Sequence, residues 1–92
     1  MFRYKDEAEL FALARRGRRI QEILEDEDFR LVVENLMREY HSQWEGSPTM
    51  ASDVREQCYL QLRAVQELLR ALRRTVDVGE AAQKEIERRA NE

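Results

Sequence analysis

The 92 residues include one cysteine, one proline and three glycines, and each scarcity removes a class of structure. With Cys58 alone, no intramolecular disulfide can form. So little proline and glycine leaves few turns, which argues against a sheet of many short strands and for long helices. No apolar run is long enough to span a bilayer, and the opening Phe2-Arg3-Tyr4-Lys5-Asp6 lacks the apolar stretch of a signal peptide. These absences predict a cytoplasmic protein with no membrane partner. The single His41 has no second histidine or cysteine at ligand spacing, so no metal is expected. There is no glycine-rich phosphate loop, and general acid-base work needs carboxylates in a shielded cleft, which long narrow helices do not offer. The expectation is a non-enzymatic protein without a cofactor.

Charge is what the chain has in plenty. Asp, Glu, Lys and Arg make up 38% of it, and the mean hydropathy is -0.77. The 19 acidic residues outnumber the 16 basic ones, for a net charge of -3, so the whole-chain balance does not draw the protein to nucleic acid or an anionic surface.

Apolar residues recur at alternating spacings of four and three along Cys58, Leu62, Val65, Leu69, Leu72, Val76, Gly79, Gln83 and Ile86, the seam of one long amphipathic helix. Earlier in the chain Asp6 is a natural N-cap, with Glu7 and Glu9 in the first helical turn. A matching seam then runs through Leu10, Leu13, Gly17, Ile20 and Leu24, with Phe11 and Ile23 beside it, to about Asp26. It resumes out of phase at Phe29, Val33, Leu36 and Tyr40, which predicts a kink or short turn with Asp26 or Asp28 capping a second helix. That helix should stop near Trp44 or Glu45, at Gly46, and either Ser47-Pro48 or Ser52 should start the last one. The expected fold is all-α and a single domain. It is an antiparallel helical hairpin with a kinked first arm (about 5–45), a turn (about 46–51) and one long C-terminal helix (about 52–90).

An antiparallel register that sets Gly17 opposite Gly79 lets two backbones meet where both side chains are missing. The same register puts Glu7 and Glu9 near Arg88 and Arg89, and Arg15 to Arg19 near Asp77 and Glu80. It also sets Glu22, Glu25 and Asp26 opposite Arg74, Arg73 and Arg70, and Glu34 opposite Arg63. Exposed pairs of this kind contribute only about 0–1 kcal/mol each but penalise a slipped register.

A second stripe on the last helix, Ala64, Leu68, Ala71, Thr75, Val78 and Ala82, lies beside the first. One opposing helix should not cover both, and Leu31, Val32, Met37, Tyr59 and Leu60 add to the apolar surface in need of cover. Either the kinked first arm folds part of itself over the second stripe as a three-helix bundle or another subunit covers it, and the favoured expectation is a homo-oligomer closed over that stripe. Two further surfaces are candidates. Arg15, Arg16, Arg18 and Arg19 could contact phosphates of a nucleic acid or nucleotide, although steps of about 100° spread them around a helix and Glu22 lies within reach. Tyr40, His41 and Trp44, with Met50 and Tyr59, could form an aromatic contact for a protein partner or simply cap the core.

The segments Trp44-Glu45-Gly46-Ser47-Pro48, Asp53-Val54-Arg55-Glu56-Gln57-Cys58-Tyr59, Leu62-Arg63-Ala64-Val65 and Thr75 to Ala82 resemble small helical proteins encoded in bacteriophage and prophage genomes. The likeness covers roughly residues 44–82 and implies a viral origin without implying an activity. Proteins of that kind are commonly virion or assembly components, or inhibitors that bind a host defence protein. The expected setting is then the host cytoplasm or the virion, with a phage or host protein as partner.

Overall fold

A computed structural model describes residue 2, residues 5–46 and residues 52–92. The described residues form three helices, α1 (Glu7–Glu25), α2 (Glu27–Gly46) and α3 (Ser52–Ala90), and no strand. Asp6 caps α1, its Oδ1 accepting the Glu9 amide at 2.8 Å. Asp26 caps α2 in the same way, accepting the Phe29 amide at 2.8 Å, while Asp28 sits inside the first turn. The phase slip is thus a break of one residue between helices, made by a side chain that offers the next helix its first acceptor. Gly46 ends α2 without a positive φ, so it closes the helix in ordinary helical conformation. The alternative cap at Ser47-Pro48, the turn residues after Gly46 and Met50 lie outside the described residues. Ser52 opens α3, Asp53 follows in its first turn, and Arg88 and Arg89 occupy its last turn, where cations face the carbonyl end.

The chain divides into two compact units. The first comprises Met1–Glu25 and Ala71–Glu92, and the second Asp26–Arg70.

In the first unit α1 packs antiparallel on the second half of α3. Gly17 and Gly79 meet as the register requires: a Cβ on Gly17 would lie 2.8 Å from the Gly79 Cα, and one on Gly79 would lie 2.7 Å from the Gly17 Cα. Backbone this close brings the neighbouring positions into full burial. Leu10, Ala14 and Ala82 are buried with Phe2 in one cluster, and Leu13, Val78, Ala81 and Ile86 pack against it. Phe2 and Lys5 are held to the far end of α3 by Arg89, which donates to the carbonyls of Lys5 at 3.0 Å and Phe2 at 3.1 Å.

The second unit packs α2 with the first half of α3. Among its described residues Cys58 and Leu62 are buried, both from α3, while Phe29, Val33, Leu36 and Tyr40 of α2 are only half-buried. The α2 seam is made of large side chains, and α3 covers none of them fully.

Two expectations are corrected. Ala82 is not on an uncovered stripe; it is 0% exposed beneath α1, and Val78 packs beside it. The glycine contact shortens the distance between the helices, so α1 covers a wider arc of α3 than one helix with ordinary side chains could. The charge pairs expected across the helices also do not form. Ion pairs between described residues join groups three or four positions apart: Lys5 with Glu9, Arg63 with Glu67, Arg88 with Glu85 and Glu92, and Arg89 with Glu85. A partner one turn away on the same helix is reached with less side-chain ordering than one across a groove.

Candidate functional site

The stripe expected to be open is divided by its surroundings. Thr75 and Ala71 are half-buried, and the Thr75 hydroxyl donates to the Ala71 carbonyl at 3.0 Å, which satisfies it within its own helix. Ala64 and Leu68 are exposed, Leu68 by 58%. Leu60 precedes Ala64 by one turn and is 56% exposed, so the open face of the second unit reads Leu60, Ala64, Leu68. Leu60 had been set apart from the stripe, although the same four-residue step extended backwards from Ala64 leads to it. Leu31, Val32, Trp44, Val54 and Tyr59 of this unit are also exposed, whereas among the described residues of the first unit the large apolar ones exposed are Phe11 and Ile23.

Between α2 and α3 of the second unit lies a cleft of about 220 Å³ lined by His41, Trp44, Tyr59, Leu62, Arg63, Gln66 and Arg70. The His41 and Trp44 rings stack, centroids 6.4 Å apart and planes 18° from parallel. Tyr59 joins them from α3, as the sequence suggested; Tyr40 is half-buried on α2 and does not line the cleft. Arg63 and Arg70 were not foreseen here, because their arrival depends on how α3 turns towards α2. Arg63 donates to the Tyr59 hydroxyl at 3.2 Å and to Glu67 at 3.3 Å, and these two acceptors hold its guanidinium in the charged form. The lining carries two guanidinium groups and no carboxylate, in a chain where acids outnumber bases.

Arg15, Arg16, Arg18 and Arg19 are all exposed on α1. Arg18 donates to Gln83 across the helix pair at 3.3 Å, and no ion pair joins Glu22 to either Arg18 or Arg19 among the described residues. An open groove of about 730 Å³ flanks the glycine contact, its floor made by Ala14, Gly17, Val76 and Gly79. Its walls mix Arg18 and Lys84 with Glu22, Glu80 and Glu87, which selects no sign of charge.

Cys58 is buried as a free thiol 3.7 Å from the Gln43 amide oxygen. Among the described residues no group of three or more His, Cys, Asp or Glu side chains is placed to hold a metal, and no helix is long and apolar enough to cross a membrane. At the end of α3, hydrogen bonds from Arg88 hold the Glu85 carboxyl down at about 2 despite partial burial that opposes this, with Arg89 adding to the effect. Compared with protein-family models, curated proteins and solved structures, the chain matches none.

Proposed function

We propose that this is a binding protein without chemistry of its own, which self-associates through the Leu60, Ala64, Leu68 face of α3. The observation that carries the reading is the poverty of burial among the described residues of the second unit, where Cys58 and Leu62 of α3 are buried beside a wet face of leucines. A large apolar side chain contributes roughly 1.5–3 kcal/mol on burial, so covering this face is a substantial gain for a small protein. Morphogenesis or virion assembly is the role that the phage-like segments suggest for such a protein. Sedimentation equilibrium over a range of concentrations tests the reading. A defined oligomer that Leu68→Glu dissociates is expected, and a monomer at every concentration overturns it.

A second reading has its own observation, the cleft with two arginines and a stacked aromatic pair. It fits an acidic segment of a phage or host partner, with an apolar residue seated against Trp44 and carboxylates facing Arg63 and Arg70. Trp44 is the only tryptophan, so its emission reports directly. An acidic peptide with one central phenylalanine should shift that emission, and less so in Arg70→Gln. No shift at low salt would dismiss the cleft.

A further inference from the structure

The open face of α3 has two unlike flanks, and their difference specifies an occupant. One flank carries Glu56, Arg63, Glu67 and Arg70, all charged, with Glu56 and Arg70 exposed and the Arg63 and Glu67 side chains 56% and 60% exposed. The other flank carries no charge: Gln61 lies on it, and Gln57 falls on the face itself, about 20° around the helix from Ala64. When two copies of a helix pair in parallel, each flank meets the opposite one; when they pair antiparallel, each meets its own kind. A parallel pair would lay this charged flank against an uncharged one and offer Glu56 and Arg70 no oppositely charged group on the other copy. Antiparallel pairing instead sets Glu56 against Arg70 of the other copy and Arg63 against Glu67, each twice. It also sets Leu60 against Leu68, with Ala64 facing Ala64, and all these pairs centre within one residue of Ala64.

We propose that the occupant of this face is a second copy of the chain, its α3 antiparallel to the first, with a two-fold axis beside Ala64. The proposal rests on the self-association reading and adds the partner, the direction and the register. Ala64 suits the axis because a small side chain lets the helices approach where they cross. The Arg63 to Glu67 pair within each helix is exposed and spans 3.3 Å, so both groups can turn to the neighbouring copy.

Charge reversal in trans decides it. Arg63→Glu places like charges at both Arg63 and Glu67 contacts of an antiparallel pair, and so does Glu67→Arg. Each variant alone should dimerise about tenfold more weakly than the parent. Mixed in equal amounts, the two variants should form a heterodimer about as tight as the parent, because every contact is again between opposite charges. Neither change removes an apolar contact, and the like-charge pair it creates within a helix costs only about 0.2–0.5 kcal/mol, so both chains should fold. A second measurement uses Leu60→Cys and Leu68→Cys chains, both carrying Cys58→Ala. Under oxidation they should cross-link to each other and poorly to themselves. Dimers with no rescue on mixing, or cross-links of each variant to itself, overturn the antiparallel register while leaving self-association standing. Dimers that neither charge reversal weakens and neither thiol captures place the interface elsewhere and overturn this face. A parent chain that remains monomeric overturns the underlying reading as well.

Discussion

The two units share one long helix and differ in what the opposing helix brings to it. In the first unit α1 meets α3 with Leu10, Ala14 and Gly17, and buries them all. In the second, α2 brings Phe29, Val33, Leu36 and Tyr40 and buries none of them fully. Larger apolar side chains therefore produced the poorer core. Close packing depends on the approach of the backbones as well as on the apolar content of the facing stripes. A unit whose seam is only half-covered leaves apolar surface for something else to cover.

The sharpest break in this comparison is expected at Leu10. It is completely buried, and Leu10→Ala should cost about 2–5 kcal/mol in urea denaturation, whereas Leu68→Ala, at 58% exposure, should change the stability of a dilute sample by less than about 0.5 kcal/mol. Equal effects would mean that the first unit holds no privileged core. Next in size are the glycines. Gly17→Ala gains helix propensity of about 1 kcal/mol but drives a methyl group to 2.8 Å from the Gly79 backbone, and the net effect should be a loss of about 1–2 kcal/mol. The same change at Gly46, where nothing lies within 4 Å and φ is not positive, should be neutral or stabilise by up to about 1 kcal/mol. If the two alanine variants melted alike, the close contact would not be a source of stability.

The smallest effect concerns acid. Glu85 has its pKa lowered from 4.5 to about 2 by Arg88 and Arg89, so its contribution is present above the ordinary carboxylate range and fades as pH falls from about 4.5 towards 2. Because Arg89 also holds the Phe2 and Lys5 carbonyls, that end of the first unit should loosen in the same window. Glu85→Gln should flatten the change in melting temperature between pH 5 and pH 2; an unaltered slope would remove Glu85 from the acid response.

Much of the helical framework was legible in the residues themselves. Asp6 and Asp26 are caps, Gly17 and Gly79 meet, and the seam from Cys58 to Ile86 is buried or half-buried throughout. The candidate sites were less legible. Ala82 was assigned to an open surface and lies in the core, while Arg63 and Arg70 reached the Trp44 cleft unannounced. The salt bridges expected across the helices went to neighbours on the same helix or nearby in the chain. In each of these cases the outcome turned on a distance between helices, which spacing along the chain does not contain.

By itself the sequence determined that there are three helices and, to within the alternatives at Asp26 or Asp28 and at Ser47-Pro48 or Ser52, where they begin and end. Capping and periodicity belong to residues close together in the chain, and they act before any tertiary contact forms. Only the tertiary structure decided which apolar stripe is covered and which stays open. The Gly17 to Gly79 contact draws α1 close enough to bury Ala82, whereas Leu60, Ala64 and Leu68 face away from the buried Cys58 and Leu62 and stay in water. Burial is a property of the gap between two helices, and that gap is set by the largest side chains that both bring to it.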